Sequence, residues 1–126
     1  MPDPRIAATP APPYWAVIFT SVRTDLEPEA YAAMAEAMDA LARRQPGFLG
    51  VESAREAVGV TVSYWADLAS IAAWKADLKH HAAQSAGRAR WYSAYTTRIA
   101  RVERDYTMET SPLSGGERVP NTGRQA

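Results

Sequence analysis

The chain has 126 residues, 47% of them hydrophobic and 22% charged, and its 14 Lys and Arg match 14 Asp and Glu. That is the size and composition of one ordinary globular domain, and zero net charge argues against a nucleic-acid or anionic-membrane surface, which needs a basic excess. Cysteine is absent, which excludes disulfides, zinc fingers, iron–sulfur centres and thiol nucleophiles; no apolar run reaches the roughly twenty residues that span a bilayer, and a cytoplasmic location is expected.

Residues 1–12 hold four prolines and read as an extended arm, because proline interrupts both helix and sheet hydrogen bonding. The body is expected over 13–108. Tyr14–Ser21 is aromatic and β-branched and reads as a strand. From Glu29 to Gln45, Tyr31, Met34, Met38, Leu41 and Ala42 recur at helical spacing. Pro28 suits the first turn, and Gln45-Pro46-Gly47 ends the helix. Phe48–Ala54 and Ala57–Trp65 read as a hairpin of two strands. Asp67 can cap a helix carrying Leu68, Ile71, Trp74 and Leu78. A further helical stretch is predicted from about His80 to Tyr92, then a last strand over Tyr95–Tyr106. Residues 109–126, with Pro112, Pro120 and Gly115–Gly116, read as a mobile tail.

The order β-α-β-β-α-β predicts an α+β, ferredoxin-like split βαβ fold with a four-stranded antiparallel sheet. Both faces of the first strand are apolar, whereas helices cover only one side of such a sheet. A homodimer through the sheet faces would bury the other; the alternative is that the arm or tail folds over it. Asp at Val17 or Phe19 is expected to break the dimer or the fold.

Groups able to do acid–base chemistry are few. His80 and His81 are about 100° apart on a helix and cannot share a target. Asp77 lies one turn before His81, but two ligands fall short of the three a catalytic metal site requires, and no metal is expected. Trp15, Tyr64, Trp65, Trp74, Trp91, Tyr92 and Tyr95 either fill core and interface or line a pocket for a flat ligand. His81, Ser85, Arg88 and Tyr92 fall on one predicted helical stripe beside Trp74. There is no P-loop, dinucleotide fingerprint or G-x-S-x-G elbow.

Gln45-Pro-Gly-Phe-Leu-Gly-Val-Glu-Ser53, Val62-Ser-Tyr-Trp65, Ala73-Trp-Lys75 and Arg90-Trp-Tyr92 resemble the antibiotic biosynthesis monooxygenase family. The resemblance implies a dimeric α/β barrel with a pocket between sheet and helices in each subunit. It also implies oxidation of aromatic polyketides or quinols by O2 without metal or flavin, or heme degradation. Both branches use an Asn in or near the first strand or pocket, and the heme degraders add a Trp and a His ten residues apart. Here Trp74 matches that Trp, Gln84 stands where the His would be, and the only Asn is Asn121. Heme chemistry is therefore not expected.

The leading expectation is a cofactor-independent monooxygenase acting on a small aromatic or quinol-type substrate. Trp65 and Trp74 would sandwich the ring, with Ser85 on the same wall. His81 would be the general base, Arg88 would stabilise the phenolate, and Tyr92 would hydrogen-bond a ring oxygen. The rival expectation is a non-catalytic small-molecule-binding dimer that keeps the fold without the oxygenase residues.

Overall fold

The computed structural model describes residues 3–83 and 88–111, with backbone only for 80–83 and 88–89. The elements follow the order β1 (Tyr14–Arg23), α1 (Pro28–Arg43), β2 (Phe48–Arg55), β3 (Gly59–Trp65), α2 (Leu68–Ala83), α3 (Arg88–Trp91) and β4 (Tyr92–Val102). The sheet is antiparallel, in the order β2-β3-β1-β4. This is the ferredoxin-like arrangement, with the two strands read as most apolar, β1 and β3, at its centre.

Most boundaries lie within two residues of the sequence reading, and the largest differences are at the two ends of β4. The helical stretch read from about His80 to Tyr92 is divided between the last turn of α2 and the short α3, while Tyr92 itself opens β4. Tyr92 belongs to a strand, where it opposes Arg23 beyond a bulge at Val22/Arg23. The cause is the β1–α1 turn: Thr24 donates from its backbone N–H to the Trp91 carbonyl (2.9 Å) and from Oγ1 to the Arg90 carbonyl. These bonds pull the chain into sheet register three residues before Tyr95. At the far end β4 stops at Val102, opposite Tyr14. Pro13 precedes Tyr14 and has no N–H to continue the ladder.

Pro28 opens α1, and Arg44 and Gln45 bond back to the Leu41 and Ala42 carbonyls at its end. Gly47 follows with φ +87°, and a Cβ there would run into Ser70. Asp67 caps α2 as expected, accepting from the Ser70 backbone N–H (2.8 Å) and hydroxyl (2.7 Å). These bonds hold its carboxyl below the ordinary range.

Side chains alternate across the sheet, so register fixes which residues share a face. On the side that carries the helices, four rows cross the sheet: Phe48–Trp65–Trp15–Arg101, Val51–Ser63–Val17–Ile99, Ser53–Thr61–Phe19–Thr97 and Arg55–Gly59–Ser21–Tyr95. The first two rows meet α1 and α2 in the core of Val17, Ala42, Trp65 and Ile71, with Trp15, Phe48 and Trp74 packed on it. Trp65 has no exposed surface and donates from Nε1 to Ser63 Oγ (2.9 Å).

The opposite face carries Tyr14, Ala16, Ile18, Thr20 and Val22, with Tyr64, Val62 and Val60 of β3 and Glu52 of β2. At its Tyr14 end it is covered by the arm. Ala7 donates its N–H to Glu52 (2.9 Å), and Thr9 donates its hydroxyl to Tyr14 (2.9 Å). Tyr14 in turn donates to Asp105, and Tyr64 donates to the second Glu52 oxygen. The arm packs over Gly50, where a Cβ would stand 2.9 Å from that of Ala7. The arm therefore does fold over this face, but at one end only. Val22 and Val60, at the other end, stay exposed.

Candidate functional site

The third helix-side row behaves differently from the core. Thr61 lies on a central strand, on the side that should be covered, yet it is exposed, as are Ser53 and Thr97. Among the described residues the helices leave this half of the sheet uncovered, a candidate cleft between the layers. Its floor is Phe19 and Tyr95, with the hydroxyls of Ser53, Thr61 and Thr97. Tyr31, Met34 and Met38 lie on the partly buried stripe of α1, continuous with the core residues Leu41 and Ala42.

Aromatic rings concentrate here. Phe19 meets Tyr92 edge-on and Tyr95 at a tilt, both at 5.4 Å between centroids. Tyr92 also meets Tyr95 and Tyr31, each at 5.8 Å. Tyr31 continues to the buried Trp91 (6.0 Å). Such edge-to-face pairs set rigid apolar walls. Tyr95, 56% exposed, is a large ring left open to solvent beside this wall.

Two guanidinium groups close that end. Arg23 lies over the Tyr31 ring, 3.5 Å from its centroid, and donates to the carbonyls of Trp91 (3.3 Å) and Leu26 (3.1 Å). Arg55 crosses the sheet to Ser21. Behind them Glu27 adopts a left-handed backbone (φ 50°), favoured by few residues other than Gly and Asn. Its carboxylate accepts from Trp91 Nε1 (3.1 Å) and pairs with Arg90 (3.4 Å). These bonds fasten α3 to the start of α1 and so fix Tyr92.

The sequence-predicted residues separate into two groups. Trp65 and Trp74 stack on each other, 4.8 Å between centroids and 29° between planes, so they do not sandwich a ligand ring. The space between them is already closed. Trp74 Nε1 is nevertheless buried with no acceptor among the described residues, a position where an oxygen acceptor is expected. Tyr92 opposes Arg23, whereas Trp65 opposes Trp15, so about 26 Å of strand separates them at roughly 3.3 Å per residue. One pocket therefore does not join Trp65 to Tyr92. Trp74 packs beside Val17, whose row adjoins that of Phe19, and so stands at the inner limit of the cleft.

His81 lies in the last turn of α2 and Arg88 opens α3; their side chains, and Ser85 altogether, lie outside the described residues. The single helical stripe predicted for His81, Ser85, Arg88 and Tyr92 does not hold, because Tyr92 is in β4. Asp77 accepts from Gln45 Nε2 (2.7 Å). Among the described residues no group of three or more His, Cys, Asp or Glu is placed to hold a metal, and no helix is long and apolar enough to cross a membrane. The sequence reading missed Phe19, Arg23, Tyr31 and Arg55. A signal existed: Phe19, Ser21 and Arg23 alternate on one face of a strand, where continued apolar residues would mark plain core.

A profile of the antibiotic biosynthesis monooxygenase family matches residues 13–86. The chain belongs to that family. Three of the four segments that carried the sequence resemblance fall inside the match. An uncharacterised protein of Bacillus subtilis, YqjZ, is 48% identical over 101 residues, covering 79% of this chain and 88% of the relative. The fold matches SnoaB, a cofactor-independent oxygenase from Streptomyces nogalater, with a TM-score of 0.57 at 18% identity, over 77% of this chain and 98% of SnoaB. It also matches SO0527 of Shewanella oneidensis, with a TM-score of 0.60 at 13% identity, over 74% and 94% of the two chains. At such identities the likeness to these two structures is one of fold. In this monooxygenase-family chain the uncovered residues Ser53, Thr61 and Thr97 share the helix side of the sheet.

Proposed function

We propose that this protein is a cofactor-independent monooxygenase that oxidises a small aromatic or quinol-type substrate with O2. The observation that carries the reading is the open cleft walled by Phe19, Tyr31, Tyr92 and Tyr95 and floored by hydroxyls. Family membership and the fold shared with an oxygenase support it. A flat ring lies against the aromatic wall, gaining apolar burial and about 0.5–1.5 kcal/mol per ring contact. The substrate supplies all the electrons. A quinol loses a phenolic proton, its anion transfers electrons to O2, one oxygen atom forms a new C–O bond and the other leaves as water. The four electrons that O2 accepts come from replacing C–H by C–O and from converting quinol to quinone.

The protein's part is to orient the ring and favour the anion. His81 is assigned as the base, Arg88 as the group facing the phenolate, and Tyr92 as a hydrogen-bond partner of a ring oxygen. Ser85 is assigned to the substrate wall. Trp74 Nε1 offers a donor to a ligand oxygen, with Trp65 supporting Trp74 from behind.

One observation favours a second reading, a dimer that binds such molecules without oxidising them. The described cleft residues include neither an imidazole nor a carboxylate to take the proton, and the chain has no Asn outside Asn121. Oxygen uptake with a panel of naphthoquinols and anthrones decides between them. The oxygenase consumes one O2 per product. His81→Ala lowers turnover at least about tenfold while leaving affinity unchanged, as loss of a general base does. Binding without uptake by the unmodified protein would leave the binding role alone.

A further inference from the structure

Arg55 is the last residue of β2. It stands opposite Gly59 of β3, which stands opposite Ser21 of β1. Its side chain turns back across the sheet, over Gly59, and donates to the Ser21 hydroxyl and to the Ser21 carbonyl (3.5 Å). This path exists because position 59 has no side chain. A Cβ on Gly59 would fall within the Arg55 guanidinium itself. Ser21 is 2% exposed, so the acceptor that holds the guanidinium is fixed in the sheet.

These bonds use one flank of a planar five-donor fork. Arg55 has no ion pair with the described carboxylates, and neither has Arg23, whose donors go to carbonyls. Tyr95 lies beside Ser21 in the same row, and Phe19 in the next. One end of an aromatic cleft thus carries a fixed guanidinium with free donors on a chain of zero net charge. A bidentate acceptor attached to a flat ring fits both features.

We infer that Arg55 is an anion-recognising residue of the cleft and that the substrate class is an aromatic carboxylate. The ring rests on Phe19 and Tyr95, and the carboxylate takes the free edge of Arg55. Ser21 and Gly59 are positioning residues, the first by holding the guanidinium and the second by leaving room for it. The inference rests on the reading of the cleft as the substrate site.

The test compares a hydroxynaphthoate with the corresponding hydroxynaphthamide, which has the same shape without the charge. Both are titrated calorimetrically into the full chain without O2. The carboxylate is expected to bind at least about tenfold tighter, the scale of one charge-assisted bidentate contact. In Arg55→Met the two affinities converge to within about twofold while the amide affinity is unchanged. Gly59→Ala, which displaces the guanidinium without removing it, gives the same convergence and serves where Arg55→Met folds poorly. Arg43→Met, at a guanidinium paired with Asp39 outside the cleft, keeps the preference. Equal affinities in the unmodified protein, no binding of either compound, or a preference that survives both cleft variants would overturn the inference. An Arg55-dependent preference without O2 uptake sustains the anion site and removes only the oxygenase reading. Uptake with neutral quinols and no carboxylate preference removes only the anion site.

Discussion

Tyr64 and Trp65 are sequence neighbours with opposite fates, because consecutive strand residues face opposite sides of the sheet. Trp65 enters the core between Phe48, edge-on at 5.4 Å, and Trp74. Trp65→Ala leaves a cavity no neighbour can fill and is expected to cost about 3–5 kcal/mol in urea denaturation. Tyr64 turns to the other face. Burial, then its hydrogen bond to Glu52 and the Glu52 charge, push its phenol well above the ordinary value. Tyr14 is shifted the same way, chiefly by burial. A phenol whose pKa is raised by folding contributes stability that is complete below about pH 10 and is lost as pH rises through the folded value. The melting temperature of the unmodified protein should therefore fall above about pH 10, and Tyr64→Phe should flatten that fall while leaving the neutral-pH slope unchanged. An identical alkaline limb in both proteins would show that Tyr64 does not titrate with unfolding. The aromatic content of these positions was plain in the sequence. Which rings touch was not, since the Trp65–Trp74 stack joins a strand end to a helix nine residues later and only packing decides it.

Among the elements, β1 could be read from its aromatic and β-branched content, and β3 and α1 from a clear period, with sharp stops such as Gln45-Pro46-Gly47. Gly47→Ala combines a positive φ with a collision at Ser70 and is expected to cost about 1–2 kcal/mol or more, read from the urea midpoint. The start of β4, at Tyr92 to Ala94, escaped the reading. The alanines before it favour helix, and the bonds from Thr24 that draw Trp91 and Tyr92 into the sheet come from a turn far away in sequence. Long-range pairing of that kind overrides local propensity. The anchors of the arm could not be read from composition. Glu52 holds both Ala7 and Tyr64. Glu52→Ala removes two hydrogen bonds to a charged acceptor and is expected to destabilise by about 2–4 kcal/mol, with faster hydrogen exchange at Ala7 than in the unmodified protein. Unchanged exchange at Ala7 would mean that the arm is held by packing over Gly50 instead.

For the whole molecule, the helix-free face still has Val22 at 38% and Val60 at 37% exposure after the arm has covered Tyr14 and Ala16. We propose that a second copy covers this remaining strip, with the arm at the edge of the interface. Val17 and Phe19 are on the helix side, so aspartate there tests the core and the cleft. Ile18→Asp is the substitution that should halve the mass found by light scattering at micromolar concentration. A dimer that survives it would place the contact elsewhere. The fold class and the family could be read because they rest on pattern and short motifs. The cleft could not, because it arises where helices fail to cover Thr61 and Thr97, a matter of spacing between layers. The central claim is that this cleft brings an aromatic substrate into reaction with O2. Turnover of a naphthoquinol under isotope-labelled O2, in protein freed of metals and flavins, tests it most directly. The account predicts a product carrying one labelled oxygen atom, with one labelled water released per turnover. A rate no faster than the uncatalysed reaction, or a product whose new oxygen comes from solvent, would contradict it.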